Sequence, residues 1–599
     1  MNRSKIRNRS LGEGIIRKNG DRRGCTPPAV TIFSGSYPLQ VGELNGYQNS
    51  QKGGGKLILF YETSSLTDCR MKEMNKNSFG VFKRDLSILI LLALVRLALH
   101  TATNGNYGFH RDELAMLDDA RHLAWGYVAY PPLVPFLTRI GWELFGAWLP
   151  GLRLFSVIVQ CVAMVLVGLM AKELGGGRGA QVVAAVAAAI APMSLIMGAM
   201  FQYISFDYFW WVLIGYFMIR RITSGNPRWW VGIGTAIGLG MMTKYTIIFL
   251  IAGVIVGVLA TSLRQDLKSK WLWAGAALSV VIFLPTLIWQ VQHDFIALEF
   301  LSSIHDRDVA IGRADGFIWQ QFVASTNPFT VPLWVAGLVA CFTGTAFFKR
   351  YPVETVSHSK KESSINQEAR GRTPFLALGW MFVVPALLLA VSQGRFYYLA
   401  PAFPLLLAAG AVVWAGFLSE KAGSPARAGW GFTWILLTVG AVIGGVLMLP
   451  IHAVGSPGWD IAYEVHDNFA EMIGWPELVE KVADIFKTLP EGTGILAANY
   501  GEAGAVALYG PDYGLPEPIS GMNSFWARGY GSPPPKRLLV LGFTREELAQ
   551  FFETCSLAGQ VPNPYGVLNE ETRFHPDIFV CEGLRMPWDV FWERMRVFG

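Results

Sequence analysis

Residues 86–102 read LSILILLALVRLALHTA, and residues 107–113, just beyond, read YGFHRDE. The first stretch is 17 apolar-dominated residues with one cation, Arg96, inside it. A bilayer-spanning helix needs about 20 such residues. The second stretch opens a loop rich in titratable residues. Together they set a pattern of apolar spans separated by polar turns, and the pattern repeats. Candidate spans lie at 86–102, 152–171, 180–199, 204–219, 229–243, 245–262, 271–290, 318–347, 374–392, 397–418 and 428–449.

Composition agrees. Of 599 residues, 52% are hydrophobic and only 16% are charged, against about 25% charged in a soluble domain. Mean hydropathy is +0.34. The 21 Trp and 38 Phe suit helices anchored at membrane interfaces. A net charge of +6, spread along the chain, gives no nucleic-acid footprint; cytoplasmic loops account for it. The six cysteines form no CxxC pair, so a zinc or redox site built from cysteine is not expected.

Loop charges orient the spans. Lys83, Arg84, Lys172, Arg178, Arg220, Arg221, Arg228, Arg264, Lys268, Lys270, Lys349, Arg350, Lys360, Lys361, Arg370, Arg372, Lys421 and Arg427 all fall on one side if about eleven spans alternate. By the positive-inside rule that side is the cytoplasm. The loops 103–151, 200–203, 291–317 and 393–396 and everything after 450 then face the periplasm or cell exterior.

Two flanking regions differ from the apolar body at 81–450. Residues 1–80 are rich in Arg, Lys, Asn, Gly and Ser and lack the apolar core of a signal peptide. They read either as disorder or as the product of a start codon placed too early, with Met71 or Met74 a sensible start. Residues 451–599 mix polar and apolar residues. Trp475 to Leu489 and Arg545–Phe552 read as helices, and Ile495–Ala498, Arg537–Leu541 and Ile578–Cys581 as short buried strands. Such alternation predicts a small α/β domain, placed outside the membrane by the odd number of spans. Cys555 after a helix and Cys581 closing a strand are expected to form a disulfide there, although two separate buried thiols would fit the same residues.

Chemistry-bearing side chains collect on the outward side. The first outer loop holds His110, Arg111, Asp112, Glu113, Asp118, Asp119, Arg121 and His122, and ends in Tyr130-Pro131-Pro132-Leu133. A carboxylate at the membrane surface can take the proton of an attacking hydroxyl; spacing alone leans toward an ordinary solvated loop. Asp207 interrupts an apolar run near the outer end of its span, and a carboxylate in such a place is a functional candidate. Lys244 and Arg395 occupy outer turns, where topology needs no cation and where a phosphate would find one. Arg96, inside the first span, is a candidate partner of Asp112 or of a donor phosphate. His110, His122, His293 and His305 show no metal-ligand spacing, so no metal is assigned.

The ordered set carries a resemblance. Phe109-His-Arg-Asp112-Glu113-Leu, Trp125 through Tyr130-Pro131-Pro132-Leu133, the Asp207 span, Thr243-Lys244, and Gly394-Arg-Phe-Tyr397-Tyr-Leu-Ala-Pro401 resemble the family 39 type glycosyltransferases. That family includes protein mannosyltransferases and bacterial aminoarabinose transferases. The likeness runs over roughly residues 85–450, and Ala498-Asn-Tyr-Gly-Glu-Ala-Gly and Met522-Asn-Ser-Phe-Trp look like the outer domain of bacterial members. The resemblance implies a GT-C fold and inverting transfer from a polyprenyl-phosphate sugar, with Asp112 at the catalytic position and Glu113 as its partner. It implies substrate contacts at Asp207, Lys244, Arg395 and Tyr397. Tyr130 stands where aminoarabinose transferases often have Lys, so their donor is not implied. The acceptor, whether lipid, glycan or protein, is left open. Intramembrane charges would also suit a transporter or flippase, but no internal repeat of broken helices is visible. A third possibility is an assembly platform whose tail binds a partner.

Overall fold

The computed structural model describes residues 47–52, 55–60, 63–344, 373–421 and 423–599. Residues 1–46 of the expected unstructured extension and the basic run from Lys349 to Arg372 lie outside them. The chain divides into two compact units, 1–88 and 89–599. In the first, β1 (Tyr47–Lys52) pairs antiparallel with β2 (Gly55–Phe60). A helix runs from Thr63 to Thr103. The later half of the segment expected to lack structure therefore carries regular elements.

Each expected span coincides with helix. Five helices are long and apolar enough to cross a membrane, or up to eight if each bent pair is one span. The remaining expected spans fall on Tyr203–Ser224, Trp229–Met241 and Leu376–Val391, which fall short in length or composition. The fold is thus polytopic and helical, as expected, but two expected straight spans need correction. Arg178–Ala189 and Pro192–Ala199 meet at 64°, and Phe317–Ser325 and Pro328–Thr343 at 94°. Proline causes both breaks. It lacks the N–H a helix needs and pushes the preceding residue to extended backbone; Ala191 and Asn327 have ψ of 131° and 129°. The side chain of Asn327 joins the breaks. Its Nδ2 donates to Ile190 O (3.3 Å) and to Gly440 O (2.9 Å). Elsewhere small residues bring helices together: a Cβ on Gly410 would lie 1.7 Å from the Leu333 carbonyl oxygen. That contact packs Phe403–Glu420, which follows the Arg395 turn, against Val331–Thr343.

After residue 450 comes the expected α/β region. Its strands are β3 (Thr493–Ala497), β4 (Ile519–Ser520), β5 (Arg537–Leu541), β6 (Phe552–Gln560) and β7 (Asp577–Leu584). The sheet order is β4-β3-β5-β7-β6. β3 runs parallel to β4 and β5, and β7 antiparallel to β5 and β6. Cys555 does not merely follow a helix: it lies in β6, directly opposite Cys581, and the two are disulfide-bonded with Cα atoms 4.2 Å apart. β6 escapes a sequence pattern because it is an edge strand, mostly exposed, with no apolar alternation.

The first outer loop belongs to this region's core. Leu114, Met116 and Leu117 of helix Arg111–Arg121 pack in one cluster with Trp475, Val479, Val482, Val506 and Leu539. Residues 103–151 and 451–599 form one body, although about 300 residues separate them in sequence.

Candidate active site

Helix Arg111–Arg121 opens with a reciprocal cap. The His110 imidazole accepts from Asp112 N (3.1 Å), and Glu113 Oε2 accepts from His110 N (2.8 Å). Burial pushes His110 toward its neutral form. Glu113 has no exposed surface. It pairs through both oxygens with Arg153, also fully buried (2.9 and 2.8 Å), and accepts from Phe201 N (2.7 Å). Its carboxylate is saturated by these partners and does not line the cavity that Asp112 faces, so any support it gives Asp112 passes through the helix start it fixes.

One residue earlier, Asp112 lies at the positive end of the same helix and faces a cavity of about 1540 Å³. Its Oδ2 accepts from Gln202 Nε2 (2.9 Å) and its Oδ1 from Tyr500 Oη (2.9 Å). Both donors are neutral. Its neighbour Arg111 is held by Glu471 (3.4 Å), Glu571 (3.5 Å) and Glu570. Burial pushes the Glu471 carboxyl up to about 7, against the pull of Arg111.

The same cavity is lined by Lys244, Arg307, Asp308, Arg313, Arg395, Tyr397 and Tyr130. Lys244 sits in the turn between Trp229–Met241 and Ile247–Leu259. Its ammonium is 4.2 Å from the Tyr398 ring centre, 4.8 Å from Tyr203 and 5.5 Å from Tyr397. Ring faces attract a cation while leaving its hydrogen-bond donors unused. Arg395 grips Asp308 with Nε (2.5 Å) and Nη2 (2.9 Å) and donates from Nη1 to Tyr397 Oη (2.8 Å). Arg313 and Arg307 approach Asp308 at 3.5 and 3.9 Å. Three guanidinium groups share one carboxylate, with Glu570 acting on Arg307 as well.

Of the other sequence candidates, two stand elsewhere and Tyr130 lines the cavity. Arg96 touches neither Asp112 nor the cavity: it donates to Ser194 O (2.6 Å) and Oγ (3.0 Å), tying two helices together. Asp207 is buried behind the wall, where Thr246 Oγ1 donates to it (3.0 Å). Its expected contact with substrate becomes a contact with the wall. Tyr130 lines the cavity with its hydroxyl donated to Asp119 (2.6 Å). Asp119 and Asp118 are clamped by Arg528 of the α/β region.

Sequence reasoning missed Gln202, Asp308 and Tyr500. Gln202 and Tyr500 carry no charge to attract notice, although Tyr500 lies in a stretch whose likeness was visible. Asp308 hides between charged neighbours in an outer loop. Among the described residues, no group of three or more His, Cys, Asp or Glu is arranged to hold a metal ion.

With this geometry in view, the chain can be compared with known proteins. Residues 129–289 match the family described as dolichyl-phosphate-mannose-protein mannosyltransferase. The resemblance to family 39 type glycosyltransferases is thereby met. A lipid A galacturonosyltransferase, RgtD of Rhizobium johnstonii, is 23% identical over 209 residues, covering 32% of this chain and 41% of that protein. The matched part is thus about two fifths of the relative's length. Among solved structures, ArnT from Cupriavidus metallidurans bound to undecaprenyl phosphate aligns at 15% identity and TM-score 0.48, covering 82% of this chain and 97% of that one. The arabinofuranosyltransferase AftD from Mycobacteria aligns at 15% identity and TM-score 0.45, covering 83% and 40%.

Proposed function

We propose that this protein transfers a sugar from a polyprenyl-phosphate carrier to a hydroxyl acceptor at the outer face of the membrane, with Asp112 as general base. One observation carries the proposal: a single large cavity holds Asp112 together with Lys244 and the guanidinium groups clustered at Asp308. The phosphate of the donor meets the cations. Its prenyl chain follows the apolar part of the wall, which includes Ile248, Phe249 and Leu389. The acceptor oxygen attacks the anomeric carbon while Asp112 takes the hydroxyl proton. The bond from that carbon to the phosphate oxygen breaks, and polyprenyl phosphate leaves with the electron pair. Attack opposite the leaving group inverts the sugar. The match to the mannosyltransferase family supports the reaction class, and the lipid A relative supports a lipid or glycan as acceptor. The outer face is supported by the loop charges and by the Cys555–Cys581 disulfide, which favours an oxidising compartment.

The test is incubation of the purified protein with labelled polyprenyl-phosphate sugars. Transfer or hydrolysis is expected, and Asp112→Asn should abolish it with the protein still folded. Movement of the lipid across a vesicle without chemistry would mean a flippase. Near-normal turnover by Asp112→Asn would place the base elsewhere.

A further inference from the structure

Tyr500 belongs to the α/β region, 388 residues from Asp112 in sequence. We infer that Tyr500 is a positioning residue for the reacting carboxylate, so that the α/β region supplies part of the catalytic machinery. The inference rests on the role proposed for Asp112.

An Asp at the mouth of a cavity has two side-chain torsions free, and an unheld carboxylate would spread over several directions. Gln202 restrains one oxygen and Tyr500 the other, leaving the remaining lone pairs for a proton. The chemistry of the donor matters. A guanidinium at Tyr500's place would hold the carboxylate just as firmly but would lower its basicity. A phenol orients it with no added charge. Burial and the Asp112 charge both hold the Tyr500 hydroxyl in its protonated, donating form, above the ordinary phenol range.

The structure fixes Tyr500 from behind. It is the first residue of helix Tyr500–Tyr509, whose cap Asn499 accepts from Gly501 N (2.8 Å) and Glu502 N (2.9 Å). That helix lies almost against the catalytic one: a Cβ on Gly504 would come within 2.8 Å of Leu114 Cβ and 2.9 Å of its backbone carbon. The Tyr500 ring also covers the Arg111 guanidinium at 5.2 Å. A tethered domain would need none of these contacts.

Tyr500→Phe removes only the hydroxyl. In the full-length protein we expect kcat to fall about tenfold, the effect of one lost hydrogen bond, with KM for the polyprenyl-phosphate sugar unchanged. The acid limb of the pH–rate profile should move to higher pH, because the ionised carboxylate loses a donor. Tyr500→Ala, which also uncovers Arg111, separates structural from positioning roles. Normal kcat and pH profile in Tyr500→Phe, with a defect only in Tyr500→Ala, would overturn the inference and leave the ring as mere packing. Activity surviving in Asp112→Asn would instead overturn the general base, and Tyr500's role with it.

Discussion

The wall of the cavity and the layer of helix contacts behind it both hold charges among apolar residues, and they treat them in opposite ways. Behind the wall, Glu113 and Arg153 satisfy each other completely, and Arg96 rests on Ser194. On the wall, Lys244 rests against ring faces with the carboxylates of Asp207 and Asp112 acting on it, Arg395 shares Asp308 with two other arginines, and Asp112 is hydrogen-bonded by neutral groups. Charge density does not mark the reacting surface, and neither does a missing partner alone, since Arg96 Nε and Asp207 Oδ1 are buried behind the wall without one; what distinguishes the wall is that its charges open on the cavity. A buried ion pair with every lone pair used has no capacity left for a substrate. Cations clustered at one carboxylate in a cavity attract an anion, and a carboxylate held by neutral donors stays open to an incoming hydroxyl.

The sharpest way to break this contrast is at the adjacent pair Asp112 and Glu113. Asp112→Asn should cost about 10²–10⁴ in rate and leave unfolding in detergent unchanged. Glu113→Gln should do the reverse in kind, destabilising the fold by about 3–5 kcal/mol, because Arg153 is left buried without its counter-charge. If melting curves rank the two variants the other way, the division between the layers fails.

A smaller effect is expected among the cations. Lys244→Ala and Arg395→Ala should each weaken donor binding by roughly 1.5–3 kcal/mol. Arg96→Met, behind the wall, should leave donor affinity where it was. Calorimetry with a polyprenyl phosphate would show whether the front and back cations differ at all.

The smallest effect is one of pH. Burial, with Glu571 adding to it, raises the Glu502 carboxyl to about 8, and Glu471 reaches about 7. Both groups hold their proton more tightly folded than unfolded. Their contribution to stability is complete below the ordinary glutamate range near pH 4.5 and is lost as pH climbs to about 8. The melting temperature should therefore decline from pH 5 to pH 8, and Glu502→Gln should flatten that decline above pH 7. An equally steep decline in the variant would take Glu502 out of the account.

How much of this was legible in the sequence follows from the kind of signal each feature leaves. Apolar runs announce themselves by composition, so every expected span met a helix. The breaks did not, because proline is also tolerated inside apolar helices, as Pro285 and Pro385 are in this chain. Asp112, Lys244 and Arg395 were visible as charges on the outward side. Glu113 was visible for the same reason and Arg96 as a cation inside a span, but neither showed what it pairs with, since a sequence displays a charge but not its partner. Arg153, 40 residues from Glu113, is the datum that separates the two carboxylates. Tyr500 lay in a stretch whose likeness was visible and Gln202 in an outer turn, but neither stood out, because a neutral donor leaves no pattern in composition or period.

The Asn327 side chain that joins the two helix breaks bears on how the protein is made. Ile190 presents its carbonyl at the first break, yet the group that bonds it lies 137 residues downstream, and the other carbonyl that Asn327 grips lies 113 residues further on. During synthesis the earlier bend emerges long before this partner exists, so the bond cannot form while the first bend is being inserted. The three-way junction closes only when the span carrying Gly440, the last before the α/β region, has entered. Completion of the membrane body thus waits on its final helix, and a chain truncated before residue 424 would leave the junction unfinished.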